Sequence, residues 1–500
     1  MPLLRVALLL GVLLGPTAGA QPPADTMLSG ESLHEDLRVL RHALEVVHPG
    51  LYRYNTRESI DRRFAALDER LSRGAPLADS YRAIAAFVST IECGHTYLNP
   101  LNQSAVVAER VFLRSPLIPF AFRWLDGRMV VIRDASAHGD FPAGTEIESI
   151  NGMASTEVLA ALMPYARADG GNVARRVASL EVPAGTTRTT FDIYFPLVVP
   201  PPAGPWRFRV RRPDGLTGTV TSPPIALATR SAVADDLAHV GSDSTRLPWQ
   251  LRMEDDGLAV LAMPTWVTYN TRWDWRGFVD HVFTELAGRP VRALVIDLRG
   301  NEGGTNVGDA IVAHLVDRTH TTSQFQRFTR YRRLPADLRG PLETWDRGFD
   351  DWGAAAVPSP ERPGFFHLAR SADDSAGSVV RPVSPRFGGR VFVLVGPDNA
   401  SATFQFALTM KQQHLGTLVG QPTGGNQRGI NGGAFYFLRL PNSHIEVDLP
   451  IIGYFPDDTP PNAGVEPDIP VRNTPADVAR GRDREMEAVR IALFHPRESR

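Results

Sequence analysis

The sequence is poor in cysteine and in long hydrophobic runs, and each scarcity excludes a class of protein. Cys93 is the single cysteine among 500 residues, so no internal disulfide can form. Beyond residue 20, no apolar segment approaches the roughly 20 residues that a transmembrane helix needs. The formal net charge is −2, which argues against nucleic acid as the main partner.

Several catalytic signatures are also missing. The chain contains no G-x-S-x-G of α/β-hydrolases, no G-x-x-x-x-G-K-[ST] nucleotide loop and no H-E-x-x-H zinc motif. Its histidines are too scattered along the chain to suggest a metal site. We therefore expect neither a metal nor a cofactor.

The first 20 residues are typical of a secretory signal peptide. A basic start at Met1–Arg5 leads into the apolar run Val6–Leu14, and Ala18-Gly19-Ala20 resembles a cleavage site. The apolar run is too short to span a bilayer. The pattern predicts an exported protein, periplasmic or secreted, whose mature chain has no integral membrane segment.

Composition and periodicity divide the rest of the chain into regions with different expected secondary structure. Leucine-rich helical spacing fills residues 21–105, and short strands with Pro and Gly dominate 106–230, where Phe191–Val199 also has the composition of a strand. A connector at 231–252 precedes alternating strands and helices over 253–475, and a terminal helix follows at 476–500. Such alternation predicts a largely parallel sheet. The interval 319–388 interrupts it, and we interpret that interval as an insertion that could cover the substrate.

One strand–turn–helix in the third region has the composition of a catalytic element. Val391–Val395 is a buried strand, Gly396–Asn399 has turn chemistry, and helical spacing begins at Ser401. A hydroxyl in that position lies near free backbone N–H groups at the positive end of the helix, which suits a nucleophile. The alternative is that Ser401 is a plain helix N-cap.

A second loop and one histidine complete the candidate chemistry. Asp297–Gly304 follows another buried strand, and its glycines allow backbone N–H groups to approach a ligand; alternatively, it is only a tight junction. A serine nucleophile needs a base. His95 lies in a Gly-flanked loop after a helix, ahead of His48 and His414 as candidates. Cys93 as a nucleophile is the other possibility, although a lone buried thiol is usually part of a core.

Five segments in order resemble one known family. They are Glu92-Cys-Gly-His-Thr-Tyr-Leu98, Asp297-Leu-Arg-Gly-Asn-Glu-Gly-Gly304, Asn399-Ala-Ser-Ala-Thr403, Gly420-Gln-Pro-Thr-Gly-Gly425 and Gly464-Val-Glu-Pro-Asp-Ile469. Together they resemble the tail-specific, or carboxyl-terminal-processing, serine proteases on their tricorn-like side. The segment Ala143–Gly152 is similar to the PDZ-like module of that family. The resemblance implies an α/β fold: a crotonase/ClpP-like αββ core with an N-terminal helical domain and a mostly β PDZ-like domain.

The resemblance also implies roles for particular residues. Ser401 matches the nucleophile, and the N–H groups of Gly303, Gly304 and Ala402 match the oxyanion hole. The lysine base of the best-known members is replaced by Asn426, so a histidine base, His95, is implied instead.

The carboxylate that orients the base in tricorn-like members has no clear counterpart. The matching position holds Pro461. We take Glu466 as the first candidate, with Asp457, Asp458 and Asp468 as alternatives.

The sequence as a whole predicts an exported serine endopeptidase that acts on polypeptides through Ser401 and His95. The alternative is a non-catalytic ligand- or peptide-binding protein on the same scaffold. The missing lysine and the uncertain carboxylate favour that alternative, while the retained serine, histidine and glycine loop oppose it.

Overall fold

The computed structural model describes residues 26–183, 185, 187–233, 247–269, 271–321, 325–368 and 379–494. The predicted signal peptide and most of the predicted connector lie outside these ranges. Within them, no helix has both the length and the hydrophobicity that crossing a membrane requires.

The N-terminal region is helical, as the leucine spacing predicts. Its elements are β1 (Met27–Leu28), α1 (Gly30–Val47), α2 (Arg57–Leu71), β2 (Ala75–Pro76), α3 (Leu77–Ser89) and α4 (Ala105–Ala108). The buried face of α1 carries Leu33, Leu37, Leu40 and Leu44 at helical spacing. The loop after α3 presents His95.

The second region is an antiparallel sheet with short helices. Its elements are β3 (Phe120–Leu125), β4 (Arg128–Asp134), β5 (Glu146–Ile150), β6 (Met153–Ala154), α5 (Ser155–Leu162), α6 (Val173–Ala178), α7 (Thr190–Val198), β7 (Trp206–Arg211), β8 (Thr217–Ser222) and α8 (Leu227–Ser231). The strands follow the order β3-β4-β5-β7-β8, and β6 pairs with β5.

The strand predicted at Phe191–Val199 is wrong, because this segment forms helix α7. Thr189 caps that helix by accepting a hydrogen bond from the N–H of Asp192, and the Asp192 carboxylate accepts one from the N–H of Thr189 in return. The buried pair of Asp192 with Arg230 holds the helix start in place. The capping residues therefore outweigh the β propensity of the aromatic and branched residues that follow them.

The third region begins with alternating strands and helices and ends with a hairpin. Its elements are β9 (Gln250–Met253), β10 (Leu258–Ala262), α9 (Trp275–Ala287), β11 (Ala293–Asp297), α10 (Gly308–Ala313), β12 (His320–Thr321), β13 (Phe325–Thr329), β14 (Leu342–Glu343), β15 (Ala356–Pro358), β16 (Phe366–Leu368), β17 (Val379–Val380), β18 (Arg390–Val395), α11 (Ser401–Gln412), β19 (Thr417–Gly420), β20 (Asn431–Arg439), β21 (Glu446–Pro456), β22 (Ile469–Pro470), α12 (Pro475–Ala479) and α13 (Arg484–Phe494).

The first sheet of this region has the predicted parallel character. Its order is β22-β19-β18-β11-β10-β9, and only β9 runs antiparallel to its neighbour. The central strands β11 and β18 are buried almost throughout, as their continuous apolar runs require. Their carboxyl ends lie side by side, with Asp297 opposite Leu394.

A second sheet takes up much of the interval 319–388. Strands β13 to β16 join the β20–β21 hairpin in the order β14-β20-β21-β13-β16-β15. The interval therefore supplies strands to a packed sheet, where the sequence suggested loops and short elements alone. The predicted role in covering a substrate stays a prediction.

Candidate active site

Ser401 occupies a backbone conformation that non-glycine residues rarely adopt. Its φ is +51°, and it is the first residue of α11, whose N-cap is Ala400. No side chain caps this helix. Ser401 is therefore not the plain N-cap that the sequence allowed, and a left-handed serine at the start of a helix is the kind of strain that collects at functional sites.

Two buried asparagines join the turn before Ser401 to the glycine loop after β11. The side chain of Asn399 donates to the carbonyl oxygens of Leu298 and Asn301, at 2.6 and 3.0 Å. The hydroxyl of Thr403 also donates to the carbonyl of Asn301, at 3.0 Å. Because β11 and β18 are parallel neighbours, their loops meet at one edge of the sheet, and these bonds fix the distance between them.

The glycine loop lies directly against Ser401. A Cβ on Gly303, whose φ is +99°, would come within 2.7 Å of the Ala400 oxygen and 2.9 Å of the Ser401 Cβ. Only glycine fits there. The N–H of Gly303, however, donates to the side-chain oxygen of Asn301 at 2.9 Å, so it is already committed.

Two other N–H groups are better placed to receive an oxyanion. The bridge between Gly304 and Trp266 uses the carbonyl of Gly303 and the N–H of Thr305, which leaves the N–H of Gly304 out of the pairing. Ala402 lies in the first turn of α11, where N–H groups have no partner within the helix. Its nitrogen lies 3.0 Å from the Cβ position of Gly303.

His95 lies in the loop after α3, with its ring 6.0 Å from the ring of Phe435. Desolvation, together with the positive charges of Arg167 and Arg175, lowers the pKa of His95 to about 4, while Glu302 acts in the opposite direction. The imidazole is therefore neutral at pH 7 and can accept a proton. Its Nδ1 is buried and has no hydrogen-bond partner within the described ranges.

Glu302 connects the histidine to the serine loop. It precedes Gly303 in the chain, and its carboxylate pairs with Arg175 at 3.1 Å and with Arg167 at 3.3 Å. Desolvation disfavours its ionisation, but the two arginines hold the pKa of Glu302 below its usual range. Arg175 also pairs with Asp398 at 3.2 Å, so one nearly buried guanidinium links the glycine loop to the turn before Ser401.

The loop of His95 is anchored from the second region. The N–H of Gly94 donates to the Asp169 carboxylate at 2.9 Å, and Arg167 donates to the carbonyl of Gly94 at 3.0 Å. Asn426, which is fully buried, donates to the carbonyl of Asp169 at 3.0 Å and to the side chain of Asn462 at 2.6 Å. Asn426 is thus a structural residue. It stands at the position that matches the lysine base of the best-known members of the family.

Ser401 therefore lies against Gly303, and the charge of the preceding residue, Glu302, acts on the pKa of His95. No hydrogen bond joins the Ser401 hydroxyl to His95 among the residues that the structure describes. Catalytic hydrogen bonds are often long in the free form of an enzyme and shorten when substrate binds.

The choice of Glu466 as the orienting carboxylate does not agree with the structure. Its side chain is exposed, and its carbonyl accepts a hydrogen bond from Lys411, which lies about three turns along α11 from Ser401. Asp468 pairs with the same lysine at 3.0 Å. Glu466 therefore lies beside the far end of the serine helix.

The other two alternative carboxylates make their contacts outside the histidine loop. Asp457 accepts a hydrogen bond from Gln326, and Asp458 lines a separate cavity. Lys411 is the only lysine of the sequence, and its pairing with Asp468 removes it as a base for Ser401.

The remaining candidates have structural positions. The buried Cys93 thiol has a raised pKa, because of burial, and accepts a hydrogen bond from Asn431 at 3.2 Å, so it is not a ready nucleophile. His48 accepts a hydrogen bond from the N–H of Gly50 at its Nδ1 and donates from Nε2 to Thr96. His414 follows the end of α11. No cluster of His, Cys, Asp or Glu that could hold a metal ion occurs in the described ranges.

Sequence reasoning missed the polar residues that hold the site together. Arg167 and Arg175 come from the second region, and Asn301 and Asn399 carry no catalytic signature of their own. A signal did exist for the asparagines, because both lie in turns that follow buried strands. Nothing local marks the arginines, because their acidic partners, Glu302 and Asp398, are more than 100 residues away.

Comparisons with known proteins agree with this geometry. Residues 257–471 match peptidase family S41. Mature CPAF is 15% identical, with a TM-score of 0.64 over 94% of this chain and 99% of that chain. Mature CPAF complexed with lactacystin is 16% identical, with a TM-score of 0.61 over 93% and 98%.

The likeness to CPAF establishes a shared fold along nearly the whole chain, while a search of curated proteins gives no match. The family match covers the parallel strands of the first sheet, the glycine loop and the Ser401 helix. Residues 257–471 therefore form a domain of peptidase family S41, the tail-specific serine peptidases.

Proposed function

We propose that the protein is an endopeptidase in which Ser401 is the nucleophile. The observation that carries this proposal is the left-handed Ser401 at the start of α11, in contact with Gly303 and beside the N–H of Ala402. A binding protein on this scaffold would have no need to keep a serine in so strained a conformation.

The neutral His95 acts as the general base. It takes the proton of the Ser401 hydroxyl as Oγ attacks the peptide carbonyl, and the N–H groups of Gly304 and Ala402 hold the resulting oxyanion. The imidazolium then gives its proton to the leaving amine, and an acyl-enzyme remains. Water, deprotonated by His95, hydrolyses this ester and restores the serine.

Glu302 supplies the negative charge that stabilises the imidazolium. It is the carboxylate whose charge raises the pKa of His95, and Arg167 and Arg175 hold it beside the glycine loop. This role replaces the one that the sequence suggested for Glu466. Substrate binding must bring Ser401 Oγ within hydrogen-bond distance of His95.

Loss of the nucleophile tests the proposal against the binding-protein alternative. A fluorophosphonate probe should label the protein, and unfolded casein should be hydrolysed slowly. Ser401→Ala should abolish labelling and lower the rate by several orders of magnitude, whereas Ser72→Ala, at an exposed helix end, should change neither. Equal hydrolysis by Ser401→Ala and the parent protein would exclude this nucleophile, and no labelling or hydrolysis at all would favour a binding protein.

The base is tested separately. His95→Ala should abolish turnover while the circular dichroism spectrum stays unchanged. Lys411→Ala should keep turnover, because the lysine pairs with Asp468 at the far end of α11. Asn426→Ala should only weaken activity. Near-parental turnover by His95→Ala would require a different base.

We also propose that the protein is exported, because residues 1–20 have the features of a signal peptide. Mass spectrometry of the protein from its native envelope or medium should then find an N-terminus at Gln21. An intact Met1 on the protein in a cytoplasmic fraction would exclude export.

A further inference from the structure

A cavity of about 390 Å³ lies between the turn that follows α1 and the carboxyl end of β21. Its wall includes Arg53, Arg330, Arg362 and Arg428, and we call it the arginine pocket. Neither Ser401 nor His95 lines it, so it is separate from the candidate active site. The peptidase chemistry proposed above uses none of these arginines.

Arg53 is the most unusual of the four. All three nitrogens of its guanidinium are buried, and none makes a hydrogen bond of good geometry within the described ranges. The hydroxyl of Tyr54 is near enough to interact with the guanidinium, but it donates its own proton to the carbonyl of Gly429. The guanidinium carbon lies 4.1 Å from the centre of the Phe455 ring. The ring attracts the cation but does not satisfy the paired N–H donors of the guanidinium. Asp169 is near enough to influence Arg53 but is engaged with the N–H of Gly94. A buried cation without a partner is costly, so this position favours a bound anion.

The other three arginines leave the same positive charge unbalanced. Arg362 lies 4.5 Å from the ring of Phe455, and Arg330 lies 4.7 Å from the ring of Phe365. Among the described residues, the side chain of Arg428 donates only to the carbonyl of Pro460, a neutral group. In the part of the chain that the structure describes, no ion pair involves any of the four.

A neutral donor and a single carboxylate complete the lining. The hydroxyl of Tyr52 is buried and has no partner among the described residues. Asp458 is the one acidic side chain in the wall, and it is exposed. Four guanidinium groups and a phenol against one carboxylate give a wall of hydrogen-bond donors with excess positive charge. Guanidinium forks match the oxygens of carboxylates and phosphates.

We propose that the arginine pocket binds an oxyanion, a carboxylate or phosphate group that accepts hydrogen bonds from Arg53 and Tyr52. Arg330, Arg362 and Arg428 surround the anion and balance its charge. The aromatic rings of Phe455 and Phe365 hold the guanidinium planes in place and exclude water. The anion is either a free ion or the terminal carboxylate of a polypeptide.

Binding of inorganic phosphate to the full-length protein tests the proposal. Thermal unfolding should show a saturable rise in Tm with sodium phosphate that sodium chloride of equal ionic strength does not give, because a ligand bound only by the folded state stabilises it. Isothermal titration calorimetry should show one saturable site. A Tm that depends on ionic strength alone, with no calorimetric binding of any of the probes named here, would overturn the proposal.

Variants locate the site. Arg362→Gln, at the partly exposed rim, should weaken phosphate binding by at least about 10-fold, because one of the three positive charges that surround the anion is lost. Arg333→Gln, whose exposed arginine pairs with Asp351 outside the pocket, should leave binding unchanged. An equal loss of phosphate affinity in both variants would mean that binding depends only on the net charge of the protein, and the proposal would fail.

Arg53→Met separates a ligand-binding arginine from a structural one. In phosphate-free buffer this variant should unfold at or above the parental Tm, since it removes an unpartnered buried charge, and the phosphate-dependent rise should disappear. A large loss of Tm without phosphate, with the phosphate response kept, would show that Arg53 is a structural residue.

The source of the anion is distinguished with peptides. Ser401→Ala protein, which cannot hydrolyse them, is titrated with one hexapeptide that has a free C-terminal carboxylate and with its C-terminal amide. Competition with phosphate by the free acid alone identifies a polypeptide carboxylate. Phosphate binding with no competition by either peptide identifies a free ion.

Discussion

Asn399 donates a hydrogen bond from its side chain to the main-chain carbonyl of Asn301 across 3.0 Å. The two residues lie 98 positions apart, in the loops that follow neighbouring parallel strands. The same carbonyl accepts a hydrogen bond from Thr403. One backbone oxygen of the glycine loop thus holds the turn on both sides of Ser401, which fixes the nucleophile relative to Gly303 and Gly304.

Asn399→Ala should therefore reduce both stability and activity. The asparagine is fully buried, and its loss removes its hydrogen bonds to the carbonyls of Leu298 and Asn301 and leaves the N–H of Gly396 without its acceptor. We expect a loss of about 1–3 kcal/mol in the free energy of unfolding. Urea denaturation measures this loss, and casein hydrolysis measures the activity. Unchanged activity at reduced stability would mean that the bond supports the fold and not the position of Ser401.

Gly303→Ala should impair catalysis more than stability. A Cβ there would meet the Ala400 oxygen and displace Ser401, and a displacement of about 1 Å can cost about 10²-fold in rate. Gly300→Ala is the matched control in the same loop. Gly300 also has a positive φ, of +75°, but a Cβ there meets no atom within 4 Å. Both variants should lose stability, and only Gly303→Ala should lose most of its kcat/KM.

The pH profile should report the charge around His95. A general base must be neutral, and the pKa of His95 is lowered to about 4, so kcat/KM should rise with pH near 4. A histidine with an ordinary pKa would give this rise at about pH 6–7 instead. Arg167→Gln removes a positive charge that lowers this pKa, so the rise should move to higher pH. Arg472→Gln, an exposed arginine elsewhere, is the control, and an identical profile for both variants would contradict the assignment of the base.

The buried His48 should make the protein sensitive to acid. Burial, reinforced by Arg53, lowers the pKa of His48 to about 3, against about 6.5 in the unfolded chain. The unfolded chain therefore binds a proton first as pH falls, and stability is lost between about pH 6.5 and 3. Down to pH 4 this amounts to on the order of 3 kcal/mol.

Comparison of two variants isolates that contribution. His48→Gln should show a weaker loss of unfolding free energy between pH 7 and pH 4 than the parent protein, because glutamine does not titrate. His42→Gln, at a half-exposed position, should follow the parent. His95 and Asp169 also titrate in this interval, with opposite signs, and both remain in each variant. Equal slopes for His48→Gln and the parent would contradict the prediction.

Local sequence was enough to predict the parts of the site that depend on consecutive residues. The strand, turn and helix around Ser401 are confirmed because a buried apolar run, turn residues and helical spacing follow one another without a gap. The strand predicted at Phe191–Val199 is wrong, because the composition of this segment fits a strand or a helix equally well. The capping pair of Thr189 and Asp192 favours the helix.

The sequence by itself determined the serine turn, the glycine loop and the histidine loop, since each depends on backbone preferences within about ten residues. Only the tertiary structure decided how their surroundings are arranged. It removed Glu466 from the histidine, brought Arg167 and Arg175 to Glu302, and left Arg53 buried beside Phe455 without a partner. Charge pairing and desolvation depend on distance in space, and residues hundreds of positions apart acquire that distance only when the chain folds.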